Sequence, residues 1–142
     1  MKQADYRPEE WSKPKIEKYL KKESHAILLA IEKKQIVGYI GLKEVENEDK
    51  VIRMILGDAV DTFGCVEWIA VHPSHRGKGI ASLLLQAAEK WMKKRKRQGV
   101  WLDCRMKVIP LYEKNGYVLA GSFEGSSKSG QSAAKYVLIK RF

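Results

Sequence analysis

The stretch Val66-Glu67-Trp68-Ile69-Ala70-Val71-His72-Pro73-Ser74-His75-Arg76-Gly77-Lys78-Gly79-Ile80-Ala81-Ser82 holds residue types whose spacing can do chemistry. An apolar strand runs into a short basic turn with two glycines, and the turn opens a long amphipathic helix. Such a turn aims several backbone N–H groups at one point, where the helix dipole is positive. Glycines let a ligand approach the backbone, and Arg76 and Lys78 add charge. The pattern is a phosphate cradle, and it implies a pyrophosphate-bearing cofactor with the preceding strand left to hold the rest of it. A nucleotide P-loop fits poorly. No glycine stands five residues before Gly77, and Lys78 is followed by Gly79 rather than Ser or Thr.

The elements around this stretch follow from periodicity. Ser12 can cap a helix through about Lys22, with Pro14 in its first turn. His25 to Glu32 and Ile36 to Val45 read as a hairpin across Lys33-Lys34-Gln35. Val51 to Leu56 reads as a further strand or an extension of the previous one, Gly57 to Gly64 as a loop, and Cys65 to His72 as the central strand. After Gly79, the residues Ile80, Leu83, Leu84, Ala87, Ala88, Trp91 and Met92 recur at three- and four-residue steps, the stripe of a long helix ended by Gln98-Gly99. Val100 to Met106 is a strand. A short helix carries Ile109, Leu111 and Tyr112 and stops at Asn115-Gly116. Tyr117 to Phe123 and Ala134 to Lys140 form a final antiparallel pair, joined by a Gly- and Ser-rich connector. This order suits an α+β domain with a mixed, mostly antiparallel central sheet flanked by helices.

At 142 residues with 44% hydrophobic content, one domain spanning 1–142 can bury a core without staples. No apolar run approaches the roughly 20 residues of a membrane span, and no signal-peptide pattern opens the chain. Cys65 and Cys104 belong to no CxxC motif and the three histidines show no zinc-ligand spacing. Free thiols in a reducing cytoplasm, without a metal, are expected. The net charge of +10 favours anionic ligands. The run Lys93-Lys94-Arg95-Lys96-Arg97 reads as a solvated helix end whose cations oppose the negative end of the dipole, rather than as a nucleic-acid patch.

The turn resembles the pyrophosphate loop of the GNAT superfamily of acyl-CoA N-acyltransferases, whose pattern is Gln or Arg, two residues, Gly, one residue, Gly or Ala. Arg76, Gly79 and Ala81 meet it, and Ile69-Ala70-Val71 resembles the family's fourth strand. Leu102-Asp103-Cys104 followed by Leu111-Tyr112-Glu113-Lys114-Asn115-Gly116-Tyr117 is similar to the family's second block. The resemblance is specific over about residues 65–120. It departs from the family in the short segment before the first strand, which implies a reduced or trimmed N-terminal lobe. It also departs in having no asparagine between Asp103 and Lys114.

The resemblance implies a GNAT fold with a V-shaped splay between two central strands. It implies acetyl-CoA as cofactor: Ile69, Ala70 and Val71 would pair with the pantetheine arm, and the backbone of Arg76, Gly77, Lys78, Gly79, Ile80, Ala81 and Ser82 would bind pyrophosphate. A strand N–H would polarise the acetyl carbonyl. Transfer to an amine needs a base, and Glu67 and Asp103 are the candidates. Glu67 is preferred as sharing a strand face with Ile69 and Val71; its alternative is an outward acid paired with a surface lysine. Asp103 would orient the amine or serve structurally. The departing thiolate needs a proton donor, and Tyr112 matches the family tyrosine with that role; its alternative is a core aromatic. Tyr117, Trp68 and Trp101 are expected in the core, and Cys104 as a small buried hydrophobe. The expected activity is N-acetylation of a small-molecule or protein amine, without metal or membrane, with a homodimer through the exposed edge of the last hairpin as a further expectation. A non-catalytic acyl-CoA sensor is the second reading, and a nucleic-acid module ranks last.

Overall fold

The computed structural model describes residues 3–4, 18–46, 48–126 and 132–142. Its strands are β1 (Gln3–Ala4), β2 (His25–Glu32), β3 (Gln35–Lys43), β4 (Phe63–Val71), β5 (Gly99–Cys104), β6 (Val118–Ser126) and β7 (Ser132–Arg141). Its helices are α1 (Lys50–Leu56), α2 (Ile80–Lys94) and α3 (Ile109–Lys114). One sheet runs β2-β3-β4-β5-β7-β6, with β1 added to β4. Among the described residues, only β1 with β4 and β4 with β5 pair in parallel. The sheet is therefore mixed and mostly antiparallel, as the order of elements implied. Of the expected N-terminal helix, 18–20 is helical; Ser12, Pro14 and Ile16 lie outside the described residues.

The β2–β3 hairpin closes through Lys33 and Lys34, whose φ angles of 50° and 64° give the paired left-handed turn that matches strand twist. Val51 to Leu56 is not a strand. Asp49 caps α1 there, its Oδ1 accepting from the amides of Val51 at 2.9 Å and Ile52 at 3.1 Å. The nearly continuous apolar run Val51-Ile52-Arg53-Met54-Ile55-Leu56 hides the helical period, so the capping residue decides it.

Two apolar layers cover the sheet. On one face Ile40, Leu42, Val66, Ile69, Val71, Val100, Leu102 and Cys104 pack beneath α2 and α3. On the other Ile52, Val60, Phe63, Cys65, Trp101 and Val137 form a smaller cluster with α1. The buried face of α2 is Ala81, Leu84, Leu85, Ala88, Glu89 and Met92. It is turned from the expected stripe: Leu83 is 62% exposed and Ala87 is also exposed. The helix ends at Lys94, earlier than Gln98-Gly99, where the chain reverses through Lys96 at φ 59°.

Glu89 carries charge into this layer. Lys140 Nζ donates to its Oε1 at 2.7 Å and Tyr117 O–H to its Oε2 at 3.3 Å, while Lys140 also donates to the Asn115 carbonyl at 2.9 Å. The cluster ties α2, the end of α3 and β7 together. Lys140→Met leaves Glu89 without its cation and is expected to lower unfolding free energy in urea titration by about 3 kcal/mol. Adding Glu89→Leu to that variant is expected to recover most of the loss, because a matched apolar pair replaces the orphaned charge.

Candidate active site

The geometry of β4 sets the site. Its pairing with β3 runs Gly41 with Trp68 and then Leu42 with Val66, so Glu67 is an extra, bulged residue. The bulge reverses alternation. Val66, Ile69 and Val71 face the helical layer, whereas Cys65 faces the other layer. Glu67 therefore does not share a face with Ile69 and Val71; it points with Cys65 to the opposite side. Trp68 lies over Gly41, edge-on to Tyr39 at 5.1 Å and half-buried rather than in the deep core.

β4 and β5 pair only through Phe63–Gly99, Gly64–Val100 and Cys65–Trp101. Beyond Cys65, β4 continues to Val71 with β3 on one edge. On its other edge β1 pairs Gln3 with Ile69 and Ala4 with Ala70. Two groups of side chains stand on opposite faces of this region.

On the face of the small cluster lies a cavity of about 440 Å³, lined by Glu46, Glu48, Asp49, Cys65, Val66, Glu67, Trp101 and Asp103. The structure thus brings Glu67 and Asp103 to one cavity. Lys43 Nζ sits 2.6 Å from Glu67 Oε1 and 2.9 Å from Glu46 Oε2. Partial burial works to lower the Lys43 pKa, but its hydrogen bonds to Glu46 and Glu67 outweigh that and leave it raised. The same hydrogen bond holds the Glu46 carboxyl below its usual range. Burial, then the negative charge of Glu67, push the Tyr19 phenol up, and its O–H donates to the Leu42 carbonyl at 2.7 Å. Lys135 approaches Asp103 at 3.8 Å. Glu67 is therefore both lysine-paired and cavity-lining. Lys43, Glu46 and Tyr19 meet around Glu67 here, and sequence reasoning named none of them for the site; the acidic run Glu44-Val45-Glu46-Asn47-Glu48-Asp49 marked Glu46 alone.

On the helical face Tyr112 is fully buried against Tyr117, at 6.0 Å between rings. Burial, with the Cys104 thiol beside it, raises its pKa. Burial likewise pushes the Cys104 thiol up to about 11. Neither is a ready nucleophile at neutral pH. Among the described residues the Tyr112 hydroxyl has no hydrogen-bond partner, a state that costs about 1–3 kcal/mol unless a ligand relieves it.

Past the end of β4, His72 caps a short 3-10 turn, its Nδ1 accepting from the Ser74 amide at 3.2 Å, and Arg76 Nε donates to the Val71 carbonyl at 3.2 Å. Gly79 is the N-cap of α2 at φ 82°, with no side chain capping the first-turn amides of Ile80, Ala81 and Ser82. A Cβ on Gly77 or Gly79 would meet nothing within 4 Å. The turn is open toward whatever its amides bind, and the left-handed φ makes glycine the fitting residue at both positions. Asn115 Nδ2 donates to Ser82 Oγ at 3.1 Å and to the Leu111 carbonyl at 2.8 Å, which links this turn to the helix bearing Tyr112. An open amide turn and an orphaned buried hydroxyl both fit a pyrophosphate-bearing thioester.

Among the described residues no group of three or more His, Cys, Asp or Glu could hold a metal ion, and no helix is long and apolar enough to cross a membrane. Streptothricin acetyltransferase of Escherichia coli is 32% identical over 78 residues, which are 53% of this chain and 45% of that protein. The chain thus spans about half the length of that relative. A Bacillus anthracis str. Ames protein, named for streptothricin acetylation and solved with acetyl coenzyme A, superposes with TM-score 0.69 at 21% identity, covering 89% of this chain and 67% of its own. An aminoglycoside 6'-N-acetyltransferase complexed with coenzyme A gives TM-score 0.70 at 17% identity, covering 94% and 83%. These likenesses show a shared fold. The family model of the Acetyltransferase (GNAT) family matches residues 2–117 and takes in the bulged strand, the glycine turn and the tyrosine helix alike, so the chain belongs to that family.

Proposed function

We propose that this chain is an N-acetyltransferase that moves an acetyl group from acetyl-CoA to a primary amine by direct attack. The observation that carries the reading is the buried, unpartnered Tyr112 hydroxyl, set on one face of the sheet with a carboxylate-lined cavity on the other. Acetyl-CoA supplies the activated acetyl group. The turn from Arg76 to Ser82 would hold its phosphates, and the β4 edge at Ile69, Ala70 and Val71 its pantetheine arm. Glu67 takes the proton of the amine, directly or through a water. The nitrogen becomes strongly acidic as the C–N bond forms, so an ordinary carboxylate suffices at that moment. Asp103 orients the amine. Tyr112 holds a proton at Oη for the departing sulfur. We read residues 1–142 as one domain working in a reducing, cytoplasmic setting, with its two cysteines buried and free.

Gln3 and Ala4 use the β4 edge that this reading assigns to pantetheine. Both cannot hold it at once, so cofactor binding displaces β1. Calorimetric titration with acetyl-CoA is expected to give saturable binding, and a chain lacking its first four residues to bind up to about tenfold tighter, the worth of one or two net backbone hydrogen bonds. Absence of binding by either chain would contradict the reading. Equal affinity of the two would leave the cofactor site standing and remove the competition.

A further inference from the structure

We propose that Glu32, at the end of β2, is a positioning residue for the phosphates of the cofactor, acting through His75 to fix the turn that binds them. The proposal rests on the reading of Arg76 to Ser82 as the phosphate site and adds what holds that turn before the cofactor arrives. Gly77 and Gly79 stand at φ 80° and 82°, and a Cβ on either would touch nothing within 4 Å. Glycine has the largest conformational freedom of any residue, so ordering this turn around a ligand weakens binding unless its base is already fixed. The His72 amide ties the base to β3 by donating to the Val37 carbonyl at 2.7 Å, and Arg76 Nε ties it to β4 at the Val71 carbonyl. A line of side chains ties it to β2. Glu32 Oε2 lies 3.7 Å from His75 Nε2, His75 Nδ1 lies 3.0 Å from Ser74 Oγ, and Ser74 Oγ lies 2.7 Å from His72 Nδ1.

The direction of these bonds assigns the protons. The Ser74 backbone N–H can only donate, and it lies 3.2 Å from His72 Nδ1. That nitrogen therefore bears a lone pair, and His72 is neutral with its proton on Nε2. The Ser74 hydroxyl proton turns to the same nitrogen, which leaves Oγ to accept from His75 Nδ1–H. With Nδ1 donating, a neutral His75 would set a bare Nε2 against the Glu32 carboxylate, lone pair against lone pair. A proton on Nε2 makes that contact an ion pair, so the line is complete when His75 is an imidazolium. Among the described residues, Glu32 faces His75 from β2 and the neutral His72 ring faces it at 5.6 Å, while the neighbouring Arg76 turns its Nε to Val71. The sign of the effect is the distinguishing feature. A carboxylate beside a phosphate site repels an anionic ligand, so by charge alone Glu32 would weaken cofactor binding. Acting through His75, it strengthens it.

The test titrates acetyl-CoA calorimetrically into wild type, Glu32→Gln, His75→Phe and the double variant, at pH 6 and pH 8.5. At pH 6 Glu32→Gln is expected to raise Kd by about threefold to fivefold, the scale of a partly exposed ion pair. At pH 8.5, where histidine is neutral, the same substitution should leave Kd unchanged or lower it. In the His75→Phe background it should no longer weaken binding at either pH. Comparison of variants at one pH cancels the titration of the cofactor's own phosphates. Nitrogen-15 imidazole shifts of the free protein give a readout that needs no cofactor: at pH 6 His75 should carry a proton on both nitrogens and His72 on Nε2 alone. Equal or tighter binding by Glu32→Gln at pH 6, or a weakening that survives in His75→Phe, would overturn the proposal. A neutral His75 at pH 6, or a proton on His72 Nδ1, would also overturn it. Absence of acetyl-CoA binding by wild type would refute the phosphate-site reading and the proposal with it, whereas binding that Glu32→Gln leaves unaltered refutes the proposal alone.

Discussion

Glu67→Gln is expected to lower kcat for amine acetylation by about 10²–10³-fold, the usual worth of a positioned proton acceptor, with acetyl-CoA affinity within about twofold of wild type. The amide keeps the shape of the side chain and a hydrogen bond to Lys43, but it cannot accept the proton. Lys43 retains Glu46 at 2.9 Å, so the cavity wall keeps one of its ion pairs. Because the Glu67 side chain is about a quarter exposed, loss of its ion pair should change stability by under about 1 kcal/mol. Asp103→Asn separates the two carboxylates. If Asp103 only orients the amine, the variant raises KM for the acceptor by about tenfold and spares kcat. A Glu67→Gln enzyme with wild-type kcat and an Asp103→Asn enzyme without turnover would exchange the two roles.

Tyr112→Phe is expected to lower kcat by about 10²-fold and, in the same protein, to leave stability unchanged or to raise it by about 1 kcal/mol. The two effects come from one fact. The hydroxyl is buried with no partner, so its removal relieves a desolvation cost in the free protein and removes a donor only when a sulfur must depart. A core tyrosine with a purely structural role would show no fall in kcat. The pH profile adds a second readout. The raised pKa keeps Tyr112 protonated through the neutral and mildly alkaline range, so its ionisation imposes no alkaline limb there. An alkylamine is more neutral at higher pH, so kcat/KM should rise about tenfold per unit from pH 7 toward the amine pKa of ~10.4. A bell that turns down near pH 8 would contradict that assignment.

The turn from Arg76 to Ser82 and the tyrosine helix were legible because local chemistry determines them. Two glycines, a basic pair and a following apolar period have few other uses. The face of Glu67 was not legible, because alternation fails at a bulge and the bulge is fixed by the pairing of Gly41 and Leu42 on another strand. Val51 to Leu56 was misread because a dense apolar run carries no period, although Asp49 held the cap. The stripe of α2 was read one position off: Leu83 and Ala87 are apolar yet exposed, beside the sheet edge formed by β2. The acidic cavity lay beyond sequence reading for a different reason. Its residues come from the loop after β3, from β4 and from β5, and only the fold sets Glu46 and Glu48 beside Glu67 and Asp103. Net charge pointed the other way, since it averages over a surface and says nothing of a recess.

The most direct test of acetyl transfer is thiol release from acetyl-CoA by the purified chain over a panel of primary amines, with the product identified by mass. Release in step with formation of a mono-acetylated amine, abolished by omission of the amine, is the predicted result. Saturable acetyl-CoA binding without release on any amine of the panel would contradict it and would describe instead a domain that senses acyl-CoA.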